Sequence, residues 1–228
     1  MNMYGLLIRN LDLEVDSRFQ EKDIFSNCTQ VQCLQSRIWS RAYESHAYLL
    51  YLVQLNQWTL KTIVHCHHGP PLLKELLLSI FDCPNLEILE LKSFELDQET
   101  AEHLMHLSRL KKLVLHDIRF LETVRWSDNT SFPSVDYLSV DFTGDDWEFE
   151  LIARCPNLST LVLGSASPGD LLKRSDIAKG QPWVCLGLEI FSAWIKFDEL
   201  DVNQGTFLES RHAVYTQLSR LSRLRTKD

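Results

Sequence analysis

The sequence predicts an α/β repeat fold, a stack of strand-and-helix units, on three observations. Cys83-Pro84-Asn85-Leu86 recurs 72 residues on as Cys155-Pro156-Asn157-Leu158, and each copy continues as L-x-x-L-x-L, through Leu89 and Leu91 and through Leu161 and Leu163. The same pattern occurs twice between them, at Leu110, Leu113, Leu115 and at Val135, Leu138, Val140, so the interval holds three periods averaging 24 residues. The first anchors of successive units fall at Ile8, Val31, Leu60, Leu86, Leu110, Val135, Leu158 and Leu188, a mean spacing of about 26 residues. A period of roughly 20–29 residues with this pattern is a leucine-rich repeat, in which each unit buries its apolar side only by stacking on its neighbours. The expectation is a leucine-rich-repeat solenoid, a ribonuclease-inhibitor-like horseshoe with a parallel concave sheet and helices on the convex side. It forms one domain over residues 1–228, of eight to nine irregular repeats.

Unit one reads Ile8, Leu11, Leu13 after Leu6 and Leu7, with no polar segment to protect its outer side. Terminal repeats need such a cap, so the chain is either a fragment of a longer protein or a stack whose edge something else covers. Unit two is a degenerate copy around Val31 and Leu34 with Ser36 in its last core slot, and its helix is expected from Arg41 to Leu55, where Tyr48, Leu49, Leu52 and Leu55 recur at helical spacing. Unit three reads Leu60, Ile63, His65, after Trp58; a histidine in a leucine slot means a tucked-in imidazole or a slipped frame. Prolines 70 and 71 suit the start of a helix over Leu72 to Phe81. Asp97 suits the N-cap of the next, over Gln98 to Leu107. Phe120 to Ser131 reads as a loop holding Trp126 in polar surroundings. An acidic first turn, Asp145-Asp146-Trp147-Glu148, leads into Leu151 and Ile152 and suits a helix dipole. A further helix is expected near Asp170 to Ile177, then unit eight at Cys185, Leu188, Phe191, Ala193, and finally a helix from Arg211 to Leu224 with Val214, Leu218 and Leu221 at core spacing.

Of the six cysteines, Cys28, Cys83, Cys155 and Cys185 each stand three residues before a first anchor, a slot that Leu107 and Phe132 fill in other units. A slot shared by Cys, Leu and Phe is apolar and inward, so these are expected as reduced core thiols rather than a disulfide framework. The net charge of -8 opposes binding to phosphate backbones, so no nucleic-acid partner is expected. The longest apolar run, Ala47 to Val53, is far short of the roughly 18 residues a membrane span needs, and the N-terminus lacks the basic leader and apolar stretch of a signal peptide. The expected location is the cytosol or nucleus, with no membrane association.

Little here can do chemistry. His65-Cys66-His67-His68 is the most metal-like cluster, but adjacent strand residues alternate in direction and cannot converge on one ion, and no second ligand pair stands at a zinc-site distance. His103 and His106 lie three apart beside Glu102, not four apart as in H-E-x-x-H, and read as a solvated helix face. Nucleophile elbows, phosphate-cradling loops and dinucleotide fingerprints are absent, so neither an enzyme nor a cofactor is expected.

Binding follows from geometry instead. In L-x-L the leucines point inward, and the residues before, between and after them line the opposite, concave face, because strand side chains alternate. Those positions are Ile88, Glu90, Lys92; Lys112, Val114, His116; Tyr137, Ser139, Asp141; Thr160, Val162, Gly164; and Ile190, Ser192, Trp194. Apolar and aromatic anchors among mixed charges suit a protein-binding face, for which Ile88, Glu90, Lys112, Val114, His116, Tyr137, Ser139, Val162, Ser192 and Trp194 are the candidates. The basic end, Arg211, Arg220, Arg223, Arg225 and Lys227, reads as the solvated side of an amphipathic helix.

The repeats Cys83 to Leu91 and Cys155 to Leu163, the approach Trp183-Val184-Cys185 with Leu188-Glu189, and the closing Val214-Tyr215, Gln217-Leu218, Leu221 and Leu224-Arg225 together resemble the leucine-rich-repeat regions of fungal F-box proteins. In that family the repeats choose a substrate, while an F-box upstream of them, absent from these 228 residues, docks on the adaptor of a cullin-type ubiquitin ligase. The resemblance implies a noncatalytic module whose partner is a protein, a ubiquitination substrate. The alternative is an independent repeat scaffold or signalling adaptor with no ubiquitin connection.

Overall fold

The structure, a computed structural model, describes residues 8–15, 28–38, 43–67, 71–121, 124–126, 131–142, 147–165, 172–173, 185, 187–193, 195–196, 216 and 221. The chain divides into two compact units, Met1–Asp128 and Asn129–Asp228.

In the first unit five strands pair in sequence order: β1 (Asn10–Val15), β2 (Cys33–Ile38), β3 (Thr62–His67), β4 (Ile88–Leu96) and β5 (Lys112–Phe120). Every pairing is parallel, and the register sets Leu11, Leu34, Ile63, Leu89 and Leu113 side by side. Parallel neighbours need a crossover, and here helices supply it: α1 (Tyr43–Asn56) between β2 and β3, α2 (Lys74–Phe81) between β3 and β4, and α3 (Gln98–Met105) between β4 and β5. In the second unit β6 (Tyr137–Phe142), β7 (Thr160–Ser165) and β9 (Ile190–Ala193) also pair in parallel, with helix α4 (Trp147–Ala153) between β6 and β7 and with Leu138, Leu161 and Phe191 in register. No helix among the described residues is long and apolar enough to cross a membrane.

The core lies where the repeat pattern puts it. The first anchors Val31, Leu60, Leu86, Leu110, Val135, Leu158 and Leu188 are all buried, and so are the second and third anchors from Leu11 through Leu163. The first and last copies loosen, with Ile8 half-buried in one and Phe191 and Ala193 half-buried in the other. On the helices Leu52, Leu76, Leu77, Ile80, Leu104, Leu151 and Ile152 complete the packing. The ladder holds a recurring contact within each unit: the carbonyl of Arg9, Gln32, Lys61, Glu87, Asp136 or Ser159, just before a strand, accepts two N–H groups from the next repeat. Thus Glu87 O accepts from Lys111 and Lys112 at 2.8 and 3.1 Å, and Ser159 O accepts from Glu189 and Ile190 at 2.8 and 3.0 Å.

The C-P-N-L motif acquires a physical meaning. Its cysteine is buried, Cys83 and Cys155 each donating a weak S–H bond of 3.4 Å to the carbonyl four residues back, Ser79 O and Leu151 O. All six thiols are free; those at 28, 83, 155 and 185 are buried, as the shared slot with Leu107 and Phe132 predicts. Burial, with Asp82 adding to it at Cys83 and Cys185 at Cys155, pushes the Cys83 and Cys155 thiols up to about 12, so they remain protonated at neutral pH. The asparagine instead reaches sideways to the preceding repeat: Asn85 Nδ2 donates to Trp58 O and Asn157 Nδ2 to Pro133 O, both at 2.8 Å. One residue of the motif therefore packs its own repeat and another fixes the stacking of two.

Unit three lacks that cysteine, and Asn56 does its work. Asn56 Nδ2 donates to Leu52 O, four residues back, at 3.0 Å, while its Oδ1 accepts the Val31 N–H at 2.9 Å. The following turn takes one residue more, Leu60 N–H reaching Asn56 O four residues back where Leu86 N–H reaches Cys83 O three back.

Asp97 is the N-cap of α3, as its sequence position predicts. Its carboxylate accepts the Thr100 N–H at 2.9 Å, and its own N–H donates to the Thr100 hydroxyl at 2.9 Å. Burial by itself would raise the Asp97 carboxyl, but hydrogen bonds from Lys74 Nζ and from the Thr100 N–H and hydroxyl outweigh it and bring the carboxyl down to about 2. The folded value lies below the unfolded one of 3.8, so this group's stabilisation is whole above about pH 4 and is lost as pH falls towards 2. Acid unfolding is expected to show a loss of about 1–2 kcal/mol across that window that Asp97→Ala removes, the variant also being less stable at pH 7 by about 1 kcal/mol. A variant with the wild-type acid profile would contradict this assignment.

One expectation meets a correction. Near Asp170 to Ile177 the periodicity predicts a helix, yet the two residues described there, Leu172–Lys173, form a short strand β8 that pairs in parallel with β10 (Ile195–Lys196). Strand pairing overrides local propensity, which is a weak determinant over so few apolar positions. Trp126 lies in irregular chain, as its loop-like sequence predicts, and its side chain is buried. Beside it the Gln98 side chain accepts the Arg125 N–H at 2.8 Å and donates to the Arg125 carbonyl at 3.0 Å. Of the expected terminal helix, Thr216 is helical and Leu221 buried; the rest, with Leu6, Leu7, Trp183, Val214, Leu218 and the arginine-rich end, lies outside the described residues.

Candidate protein-binding face

On the sheet face turned away from the core, the first unit arranges side chains in rows set by the register. Asn10, Cys33, Thr62, Ile88 and Lys112 form one row, and Asp12, Gln35, Val64, Glu90 and Val114 the next. Lys92 and His116 continue side by side on β4 and β5. The candidates Ile88, Glu90, Lys112, Val114 and His116 are thus brought onto one surface. Lys112 Nζ bridges to Glu90 Oε1 at 2.5 Å, with both side chains partly exposed. Such a pair contributes little stability, about 0–1 kcal/mol. Val114, flanked by Glu90 in register and by Lys112 and His116 along its strand, is buried to 8% exposure, so it serves as the floor of the face more than as its contact surface.

The face is wider than the sequence suggests. Asp12, Gln35 and Val64 extend the second row over β1, β2 and β3, of which β2 and β3 carry a polar residue, Ser36 and His65, in the last core slot. Their central position in Leu11-Asp12-Leu13, Leu34-Gln35-Ser36 and Ile63-Val64-His65 is the signal that finds them.

In the second unit Tyr137, Thr160 and Ile190 make one row and Ser139, Val162 and Ser192 the next. Tyr137 is half-buried, Ile190 is 47% exposed, and Ser139 is buried between its neighbours. The Asp141 carboxylate lies over Gly164, its register partner, in the space where a Cβ would stand. Trp194, the tenth candidate, lies outside the described residues.

Both long strands bend at one level. Ser93 (φ 60°) and Asp117 (φ 52°) adopt the left-handed conformation, and the Ser93 hydroxyl donates to Asp117 Oδ2 at 2.5 Å. The Ser93 carbonyl accepts the Leu72 N–H of the preceding connection at 3.2 Å. Each bend shifts the alternation by one residue, so that after Leu89 and Leu91 the next inward side chains are Phe94 and Leu96. The outward rows of β4 and β5 therefore end at Lys92 and His116.

The other clusters do not converge on a site. His65 and Cys66 point to opposite sides of β3, the first buried and the second half-exposed. No group of three or more His, Cys, Asp or Glu side chains among the described residues could hold a metal ion. His103 and His106 stack edge-to-face at 6.0 Å on α3, and His103 Nδ1 lies 3.0 Å from Asp82 Oδ1 on the surface.

A scan against models of known protein families finds no match to this chain, and a comparison with curated proteins finds none either.

Proposed function

We propose that this chain is a noncatalytic protein-binding module built as a leucine-rich-repeat solenoid, and that the side of the sheet away from the helices is its recognition surface. The observation that carries this reading is the outward row on the first unit, where the half-exposed Ile88 stands beside Lys112 and above Glu90 and the buried Val114. Such a mixture of apolar floor and charged rim is what protein recognition uses. The Tyr137, Thr160 and Ile190 row of the second unit supports it with an aromatic ring and an exposed aliphatic side chain. The motif resemblance to F-box proteins extends the proposal: the partner is a ubiquitination substrate, and the module works in the cytosol or nucleus.

Affinity capture from fungal cell extract tests both parts. Wild type is compared with Ile88→Ser/Lys92→Glu and with Tyr137→Ala/Ile190→Ser, each checked for folding by circular dichroism. A protein partner retained by wild type and reduced at least tenfold by either double variant is expected, together with ligase subunits. Equal capture by all three would overturn the face; a face-dependent partner with no ligase subunit would leave an independent scaffold.

A further inference from the structure

The turn that enters β3 turns its largest side chain to solvent. Trp58, two residues before the anchor Leu60, is 73% exposed. The same slot faces solvent in other copies, where Pro84 and Ser108 fill it before Leu86 and Leu110, and Pro133 and Pro156 before Val135 and Leu158. An indole there adds little to the buried core. Its backbone is nevertheless firmly held: Gln57 Nε2 donates to Asp82 O at 2.9 Å, the Thr59 hydroxyl to Val31 O at 2.8 Å, and Asn85 Nδ2 to Trp58 O itself. A base fixed in this way lowers the ordering cost of using the ring as an anchor.

Positive charge collects at the same edge. Asn85, whose amide holds Trp58 O, accepts at its Oδ1 from Arg109 Nη1 at 2.7 Å, so one side chain ties together the turns of three successive repeats. Lys111 Nζ lies 2.6 Å from Glu87 Oε2. That hydrogen bond first, and then the charges of Lys61 and Arg109, hold the Glu87 carboxyl below its usual range. Three exposed cations thus surround one carboxylate, in a chain whose net charge is -8. The Asp82 carboxylate is turned to the helix side, with Oδ1 3.0 Å from His103 Nδ1.

We propose that this strand-entry edge, with Trp58 as its apolar anchor and Lys61, Arg109 and Lys111 as its cations, docks an acidic segment of a partner protein that carries an apolar side chain among its carboxylates. Trp and Arg are among the side chains that dominate binding energy at protein interfaces. The excess of cations over Glu87 draws an acidic chain and repels a basic one. A nucleic acid fits less well, because one ring makes a single stacking platform and both Glu87 and the overall charge oppose a run of phosphates. These residues precede β3, β4 and β5 and stand outside the outward rows of the sheet, so the edge and the sheet face succeed or fail separately.

Peptide capture by the purified full chain tests it. The probe is a mixed set of short, end-blocked peptides that combine Asp and Glu with Leu or Phe in varied order; a matched set carries Asn and Gln instead of the acids, and an oligouridylate stands for single-stranded RNA. Wild type is expected to retain the acidic set over the amide set, and less of it as salt rises. Retention is expected to fall at least about tenfold in Trp58→Ala and in Lys61→Glu/Arg109→Ala, and to stay at the wild-type level in Ile88→Ser/Lys92→Glu. The altered edge side chains are all exposed, and equal urea midpoints confirm that the variants fold. Three results would overturn the proposal: no preference for the acidic set, a loss in Ile88→Ser/Lys92→Glu as large as that in Trp58→Ala, or oligouridylate bound as tightly as the acidic peptides.

Discussion

The Phe94→Ala protein is expected to be less stable than wild type by about 3–5 kcal/mol in urea unfolding, the largest single effect in the first unit. Phe94 is 1% exposed, and it faces the core only because Ser93, at a φ of 60°, shifts the alternation of β4. The side chain stands in register with Ile118, which follows the matching bend at Asp117. Truncation removes a ring and leaves a cavity that two paired, bent strands cannot collapse around. Two controls belong with it. Glu95→Ala, on the solvent side and paired to an Arg119 that is 73% exposed, is expected to change stability by less than about 0.5 kcal/mol. Ser93→Val forces a β-branched residue into the left-handed region and is expected to cost about 1–3 kcal/mol. A Phe94→Ala loss no greater than that of Glu95→Ala would mean that the bend does not build core.

Asn56→Ala is expected to lose about 2–4 kcal/mol, although Asn56 touches no ligand surface. The residue is 2% exposed, and its amide satisfies two backbone groups at once, the Leu52 carbonyl and the Val31 N–H of the neighbouring repeat. Alanine leaves both buried without a partner, and each such group costs roughly 1–3 kcal/mol. Asn56→Cys is the informative companion: a thiol can still donate to the carbonyl four residues back, as Cys83 does to Ser79 O, but it restores no strong acceptor for Val31. Its stability is expected between those of wild type and alanine. If Asn56→Ala matched wild type in urea midpoint and slope, the proposed equivalence of Asn56 with the motif cysteine would be wrong.

The sheet was legible in the sequence because its determinants are local and repeated. Leu89 and Leu91, Leu113 and Leu115, and Leu161 and Leu163 stand two apart within their strands and recur at a near-constant period between them, and the register follows once each repeat is laid on the next. The core thiols were legible by substitution within one chain, since Leu107 and Phe132 occupy the slot of Cys83 and Cys155. Compensations across repeats were not. Ser36 and His65 each read as a defect, and only the β2–β3 register shows that one accommodates the other. The bends at Ser93 and Asp117 were also hidden, because neither residue is a glycine and the partner of Ser93 O is Leu72, 21 positions earlier in the chain. For the outward sheet face, period-two alternation gave the direction of Ile88, Glu90 and Lys112, but the depth of Val114 and Ser139 depends on the bulk of neighbouring side chains, which no spacing rule contains.

The measurement that bears most directly on the account places a photo-crosslinking benzoylphenylalanine at position 90, on the outward face of β4, or at position 102, on the exposed side of α3. After irradiation in cell extract, adducts are resolved by size and identified by mass spectrometry. The account predicts a discrete protein adduct from position 90 that is absent from position 102. Adducts from position 102 alone, or an indistinguishable set from both, would contradict the outward sheet face as the surface by which this chain recognises its partner.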